Sequence, residues 1–454
     1  MKNSPVIIYV PAGAGVYVPA SSSVQIIGSG GDEALPQAEL AGRRDPDESG
    51  DASGERSGES GDVPRKRPAE RKGDRPRLRP VVRQGAARSG SPARRWVPPA
   101  REEQSFPDLT VPPEIQALAE RAAKAWDMKV SGWTVAATKP EKGWGAIWRI
   151  ETNRGPRSLK LLHRPFERNL FSIGAQDYLV KRKARVAPLV PARDGLLYTV
   201  VDGRMFIVTE WIEGLHPAPK DTPDGAALLC NGLAEFHRKS QGYQPPPGAA
   251  HSSRLHRWPR VYRKLRNKLD WFEHLARAYR DMPASPVLLE VLPRFKAQAD
   301  EAIRMLEASA YQKLVARGDQ AWGLAHQDYG WSNGQVGPDG KIWIIDLDGV
   351  AFDLAFRDLR KLITGTMDDR GDWDLTWMKA MIKAYHEVNP IEPEAMQVML
   401  IDMFLPNEFY KLVKDVLYDP NMLDGALVAA LQRLLITDER KQQALRELGL
   451  KRRR

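Results

Sequence analysis

The chain has 454 residues, 42% of them hydrophobic, and a net charge of +10 from 68 Lys+Arg against 58 Asp+Glu. That length allows two or three domains, and that apolar share excludes a chain without a folded core. The single cysteine, Cys230, excludes an intrachain disulfide framework and fits a reducing compartment; no apolar run reaches the eighteen or so residues of a membrane span.

The first thirty residues hold three short β-type runs, Val6–Val10, Gly15–Val18 and Val24–Gly28, split by Gly, Pro and Ser. Runs this short make no stable sheet alone, so they read as a tail that can add to another sheet edge. Only Lys2 precedes the first run, and Pro11 and Pro19 interrupt it, which argues against a cleaved signal peptide. Charge then segregates: ten acidic against three basic residues over 32–62, thirteen basic against two acidic over 64–101. All thirteen Trp lie at or after Trp96. Residues 1–111 therefore read as a disordered low-complexity extension, acidic then basic. Its basic half lacks the interleaved aromatics that stack on bases, so nucleic acid is an unlikely partner.

From Pro112 the pattern becomes that of a folded domain. An amphipathic helix opens at Pro113 and runs to about Trp126. Strands follow at Trp133–Ala137, Ala146–Thr152 and Ser158–Leu162, then a helix at about Pro165–Lys183. Leu196–Val201 and Met205–Trp211 make a hairpin through Asp202-Gly203. Beyond Gly214 the periodicity is helical: Asp224–Lys239, Leu255–Arg280, Pro286–Arg317, Asp358–Thr366, Trp373–Val388, Pro393–Leu417 and Gly425–Leu448. Lys451–Arg454 is a basic tail. Cys230 sits in the run Ala226–Cys230, where a small buried hydrophobe is expected.

The chemistry concentrates in His326-Gln327-Asp328-Tyr329-Gly330-Trp331-Ser332-Asn333 and in Ile344-Ile345-Asp346-Leu347-Asp348. This is H-x-D-x(4)-N, then an apolar strand over Lys341–Ile345 that delivers Asp346. Phosphoryl transfer needs such a set: one carboxylate to take the attacking hydroxyl's proton, and an amide oxygen with a second carboxylate to hold magnesium on the nucleotide. Asp328 is the candidate base, and Asn333 and Asp346 are the candidate metal ligands. His326 is expected to fix the loop, and Asp358 to cap the following helix and brace the loop from below. Asp348, on the same side of an extended segment as Asp346, either reaches a second metal or faces water.

Upstream, Lys160 lies within the apolar strand Leu159–Leu162, and a lysine there needs a charged partner; nucleotide phosphates are the natural one. Gly143 and Gly145, between the first two strands, let backbone approach phosphates. Val208–Gly214 ends the last strand, and Glu210 and Ile212 mark the segment whose backbone would bond an adenine.

Several stretches together resemble the CotS family of bacterial endospore coat proteins, grouped with the aminoglycoside phosphotransferases and choline kinases. They are Trp148–Asn153, Leu159-Lys160, Leu170–Leu179, Glu210–Gly214, Ala234–His237, Gln241–Gln244 and His326–Asn333. The resemblance covers residues 112–448. It implies an α+β, bilobal protein-kinase-like fold: a small β-rich N-lobe over 112–213 and a helical C-lobe over 214–448, with 449–454 as a tail. It implies ATP and Mg2+ as ligands, with Lys160 on phosphate, Asp328 as base, and Asn333 and Asp346 on magnesium. It also implies coat proteins as partners, no membrane, and synthesis in a sporulating mother cell before deposition in the coat. One departure stands out. The helix after Lys160 should offer it a Glu, but Ser172 and Gln176 occupy the suitable face, and Glu167 lies only at the helix start. A loosely held lysine loses rate, so a kinase-fold assembly protein with a weak or inactive site is the alternative expectation. The run Arg254, Arg257, Arg260, Arg263 and Lys264 argues against a polycationic acceptor docking there.

Overall fold

The computed structural model describes residues 109–139 and 145–451, and the backbone of Ile7–Tyr9 and Gln25–Ile27. The chain divides into two units, 1–96 and 97–454. In the first, Ile7–Tyr9 and Gln25–Ile27, from the first and third of the expected β-type runs, pair in parallel. The middle run, the charge-segregated segment up to residue 108, Gly143 and the last three residues lie outside the described residues.

The second unit opens with α1 (Pro113–Ala123). Proline at the first helical position already has the helical φ and lacks only an amide hydrogen the helix does not use. Ile115, Ala119 and Ala122 form its buried stripe. A five-stranded antiparallel sheet follows, made of β1 (Val130–Lys139), β2 (Gly145–Thr152), β3 (Arg157–Leu161), β4 (Thr199–Val201) and β5 (Arg204–Glu210). Its order is β1-β2-β3-β5-β4. Asp202 and Gly203 both take positive φ, 50° and 74°, the turn geometry that a two-residue hairpin favours. Strand alternation does the sorting. Leu159 and Leu161 point into a core with Trp126, Trp148, Ile150, Phe206 and Val208, so Lys160 points to the other face. Its cross-strand partner Ile207 packs there against Ile173 of α2 (Phe166–Lys181).

The remainder is helical around one large apolar core. After the short β6 (His216–Pro217), α3 (Pro223–Ser240) packs on α9 (Leu375–His386), and α4 (Trp258–Ala278) on α5 (Ser285–Glu307). The expected helix over 286–317 breaks after Glu307. There the Ser309 hydroxyl bonds the Leu306 carbonyl and the Tyr311 amide, competing with the helical ladder; α6 (Tyr311–Val315) restarts it. The expected helix over 393–417 breaks at Leu405-Pro406, because proline removes an amide and pushes its predecessor out of the helical region. It becomes α10 (Pro393–Phe404) and α11 (Asn407–Val413).

Between α6 and α8 lies the segment that carries the site. It contains α7 (Asp319–Trp322), β7 (Leu324–Ala325), β8 (Gly334–Val336), β9 (Ile342–Ile344) and β10 (Ala351–Phe352), before α8 (Phe356–Arg370). Strands β8 and β9 form a hairpin, and β10 returns to β7. Gly232 of α3 is what lets β9 pass: a Cβ there would lie 2.4 Å from Ile342. The last helix, α12 (Gly425–Glu447), is capped by Asp424, which accepts from the Leu427 amide.

Candidate active site

Asp328 is exposed at the tip of a loop whose other residues are largely buried. Burial of that loop is made possible by Asp358. Its carboxylate accepts from the backbone amides of His326 and Gln327 and from His237 Nε2. Asp358 is fully buried, which alone would push its pKa up. The hydrogen bond from His237 and the nearby cations outweigh this and hold it at about 2. The expected capping role is corrected: Ala355 is the N-cap, no side chain caps α8, and Asp358 lies in its first turn. What its carboxylate meets is the backbone of the Asp328 loop.

His326 is buried, and its Nε2 bonds the Ile345 carbonyl at 2.9 Å. Burial lowers its pKa, so the ring is neutral and acts as a strut. That strut fixes the Asp328 loop to the segment that carries Asp346. A second tie runs from the Ile345 amide to the Asn333 carbonyl, 3.0 Å. Asn333 donates its side-chain nitrogen to the Asp328 carbonyl at 2.7 Å, which leaves its amide oxygen as the atom for a cation. Asp346 then departs from a simple strand end. It sits in the left-handed region, φ 60°, and a 3-10 turn over Leu347–Gly349 follows. The expected extended path from Asp346 to Asp348 is therefore a tight turn.

That turn supplies what α2 does not. Lys160 Nζ lies 2.8 Å from Asp346 and 2.7 Å from Asp348, and its side chain is 14% exposed. Burial would lower its pKa, but the two carboxylates outweigh this and raise it. Asp346 is correspondingly held below the usual carboxylate range, against the effect of its burial, by Lys160 and by Lys139 at 3.1 Å. The sequence expectation of no acidic partner for Lys160 is thus corrected: the partner is Asp348, from the opposite side of the site. On α2, Gln176 bonds the Ala187 carbonyl, Ser172 bonds the Asn169 carbonyl, and Glu167 is exposed. Lys139 was not anticipated; its place at the end of β1, beside the glycine segment, was the available signal.

At the far end of the sheet, Glu210 closes β5 with its amide on the Pro188 carbonyl, 2.9 Å. Ile212 follows, with no hydrogen-bond partner for its backbone among the described residues. Gly145 opens β2 against His163, where a Cβ would come within 3.2 Å of the ring. His163 in turn lies 3.8 Å from Asp348.

A lysine on a central strand, a braced H-x-D loop with its Asn, and an Asp after the next hairpin define the class: a bilobal, aminoglycoside phosphotransferase-like kinase fold. An aminoglycoside phosphotransferase from Alicyclobacillus acidocaldarius superposes with a TM-score of 0.59 at 17% identity, over 72% of this chain and 94% of that one. The family model described as "Spore coat putative kinase YutH" matches residues 173–448, and the chain belongs to that family. Spore coat protein S of Bacillus subtilis is 27% identical over 273 residues, 60% of this chain and 77% of that protein. Among the described residues, no helix is long and apolar enough to cross a membrane.

Proposed function

We propose that the protein is a spore-coat phosphotransferase that moves the γ-phosphate of ATP to a hydroxyl acceptor. The observation that carries this is the meeting of Lys160 with Asp346 and Asp348 beside the Asp328–Asn333 loop, nearly two hundred residues on. The donor set fits a hard dication. The Asn333 amide oxygen and the Asp346 carboxylate are oxygen ligands, and Asp348 Oδ2 is buried without a hydrogen-bond donor, an atom that a cation satisfies. Lys160, Lys139 and the Gly143–Gly145 segment suit phosphates, and the backbone of Glu210 and Ile212 suits the adenine edge. When bound, magnesium would neutralise charge on the transferring phosphate. Asp328 takes the acceptor's proton, and His326 and Asp358 hold it in place. The division into lobes at residues 213/214 belongs to this reading, as do coat proteins as partners and deposition in the coat after synthesis in the mother cell.

A second reading, a coat-assembly protein with a slow or silent site, is favoured by one observation. Lys160 and Lys139 pair with the same Asp346 that a magnesium ion would need, so ligand entry must first break these pairs. Thermal unfolding with magnesium and ADP separates the two. Ligand at a hundredfold its Kd stabilises by about 2.7 kcal/mol, and Asp346→Asn should remove most of that gain. Asp328→Ala should keep the gain but lower phosphate transfer by about 10²–10⁴-fold. No stabilisation at millimolar nucleotide would leave the assembly reading.

A further inference from the structure

Beside the Asp328 loop the charge balance is uneven. Lys361 Nζ bonds the carbonyl of Gln327, the residue that precedes Asp328. Arg357 sits one turn earlier on α8, its guanidinium over the Trp258 ring and 2.9 Å from Asp353. Arg254 is tied to the same place through its backbone amide, which bonds the Phe352 carbonyl at 2.8 Å. Arg164 follows His163 and is close enough to repel the Arg254 guanidinium. All four cationic side chains are half-buried.

The carboxylates nearby are already largely engaged. Asp353 accepts from Trp258 Nε1, the Leu354 amide, Arg357 and Gln327 Nε2. Asp358 accepts from the two loop amides and His237. Asp353 thus has no lone pair left, and Asp358 has only one, on the oxygen that the Gln327 amide meets, too few for Arg254, Arg164 and Lys361 together. Arg164 Nε and Arg357 Nε are buried with no acceptor at all. Among the described residues, the guanidinium groups of Arg254 and Arg164 make no ion pair. The cations also repel one another: burial first, then Arg357, lowers the Arg254 pKa, and the same causes bring Lys361 down to about 8. A half-buried cluster of this kind, with unmet donors, is matched by an anion rather than by water alone.

We infer that the acceptor is an acidic hydroxyl compound, whose carboxylate or phosphate is held by Arg254, Arg164 and Lys361 next to Asp328. This rests on the phosphotransfer reading above. In the step, the acceptor oxygen bonds the γ-phosphorus, the bond from that phosphorus to the β-γ bridging oxygen breaks, ADP leaves, and the hydroxyl proton goes to Asp328. A cationic acceptor, of the kind the word aminoglycoside implies, would meet repulsion here.

The test is calorimetric titration of the full chain loaded with magnesium and ADP. The probes are D-glycerate for a carboxylate, glycerol 3-phosphate for a phosphate, and kanamycin and choline as cations. The expected result is binding of at least one anion, with Kd raised about tenfold or more in Arg254→Gln and in Arg164→Gln, while ADP affinity stays within about twofold. Which anion binds tells carboxylate from phosphate. Equal anion affinity in wild type and both variants would overturn the inference, as would binding of no anion or preference for a cation. Circular dichroism confirms that each variant is folded. If ADP itself does not bind, the phosphotransfer reading falls separately, and arginine-dependent anion binding to the unloaded chain would still support the anion site.

Discussion

Lys160 and Lys441 each bridge two carboxylates, in surroundings of opposite kind. Lys160 bridges Asp346 and Asp348 at 2.8 and 2.7 Å. Lys441, on α12, bridges Glu408 and Asp438 at 2.8 and 3.0 Å. In both, burial would lower the lysine pKa and the paired acids outweigh it. The surroundings differ. Lys441 is 2% exposed and lies over the Trp373 ring; Asp438 also accepts from Arg294, Gln298 and Gln442. Both oxygens of Asp438 are used, as in a structural clamp that ties α12 to α11 and α5. Around Lys160 the acids are more open, Asp346 has a left-handed backbone, and one oxygen of Asp348 has no donor. An ion cluster with a vacancy and a strained member suits exchange with a ligand; a saturated one suits only folding.

The largest effect that sharpens this contrast is on stability. Lys441→Met should cost about 3–5 kcal/mol, because it leaves Glu408 with no cation and the buried Asp438 with only the part-exposed Arg294. Urea unfolding measures it, and a loss below about 1 kcal/mol would refute the clamp. Lys160→Met should cost less, roughly 1–3 kcal/mol, since its acids are part-solvated and Asp346 keeps Lys139. Its main consequence should instead be a loss of ADP affinity of more than tenfold. If Lys160→Met matched Lys441→Met in stability and left ADP binding untouched, the two clusters would be the same kind of thing.

How far the sequence goes is clear from these same residues. The place of Lys160 on an apolar strand and of Asp346 just after another was legible because strand alternation leaves a period, and Asp328 and Asn333 stood out by their spacing within a loop; the roles of all four belong to the proposal. The antiparallel strands and most helices were legible for the same reason, with helix breaks missed where Ser309 and Pro406 interrupt an otherwise continuous pattern. Asp348 as the partner of Lys160 was not legible. It depends on a left-handed residue and a 3-10 turn, and neither leaves a periodic trace. The Lys441 clamp was hidden for another reason: its members look like ordinary solvated helix charges until α5, α11 and α12 are packed together. Long-range pairing of polar residues has no sequence period, so only the fold reveals it.

The smallest of these effects belongs to the brace rather than to either lysine. Asp358 falls from the ordinary 3.8 to about 2 on folding. A depressed carboxylate contributes stability that is present above its unfolded value and lost as pH falls through the folded one. The window is therefore about pH 4 down to about pH 2, and the contribution is about 2 kcal/mol. Asp346, Asp438, Glu273 and other paired acids are also depressed, so wild-type stability alone would mix them with Asp358. Asp358→Asn separates them, because both lysine clusters titrate equally in the two proteins. The gap in unfolding free energy between wild type and Asp358→Asn should be widest near neutrality and narrow by about 2 kcal/mol by pH 2. A gap constant across that range would mean that Asp358 holds the His326–Gln327 amides by shape alone and not by its charge. The loop that presents Asp328 would then owe its position to packing, as the saturated lysine cluster does.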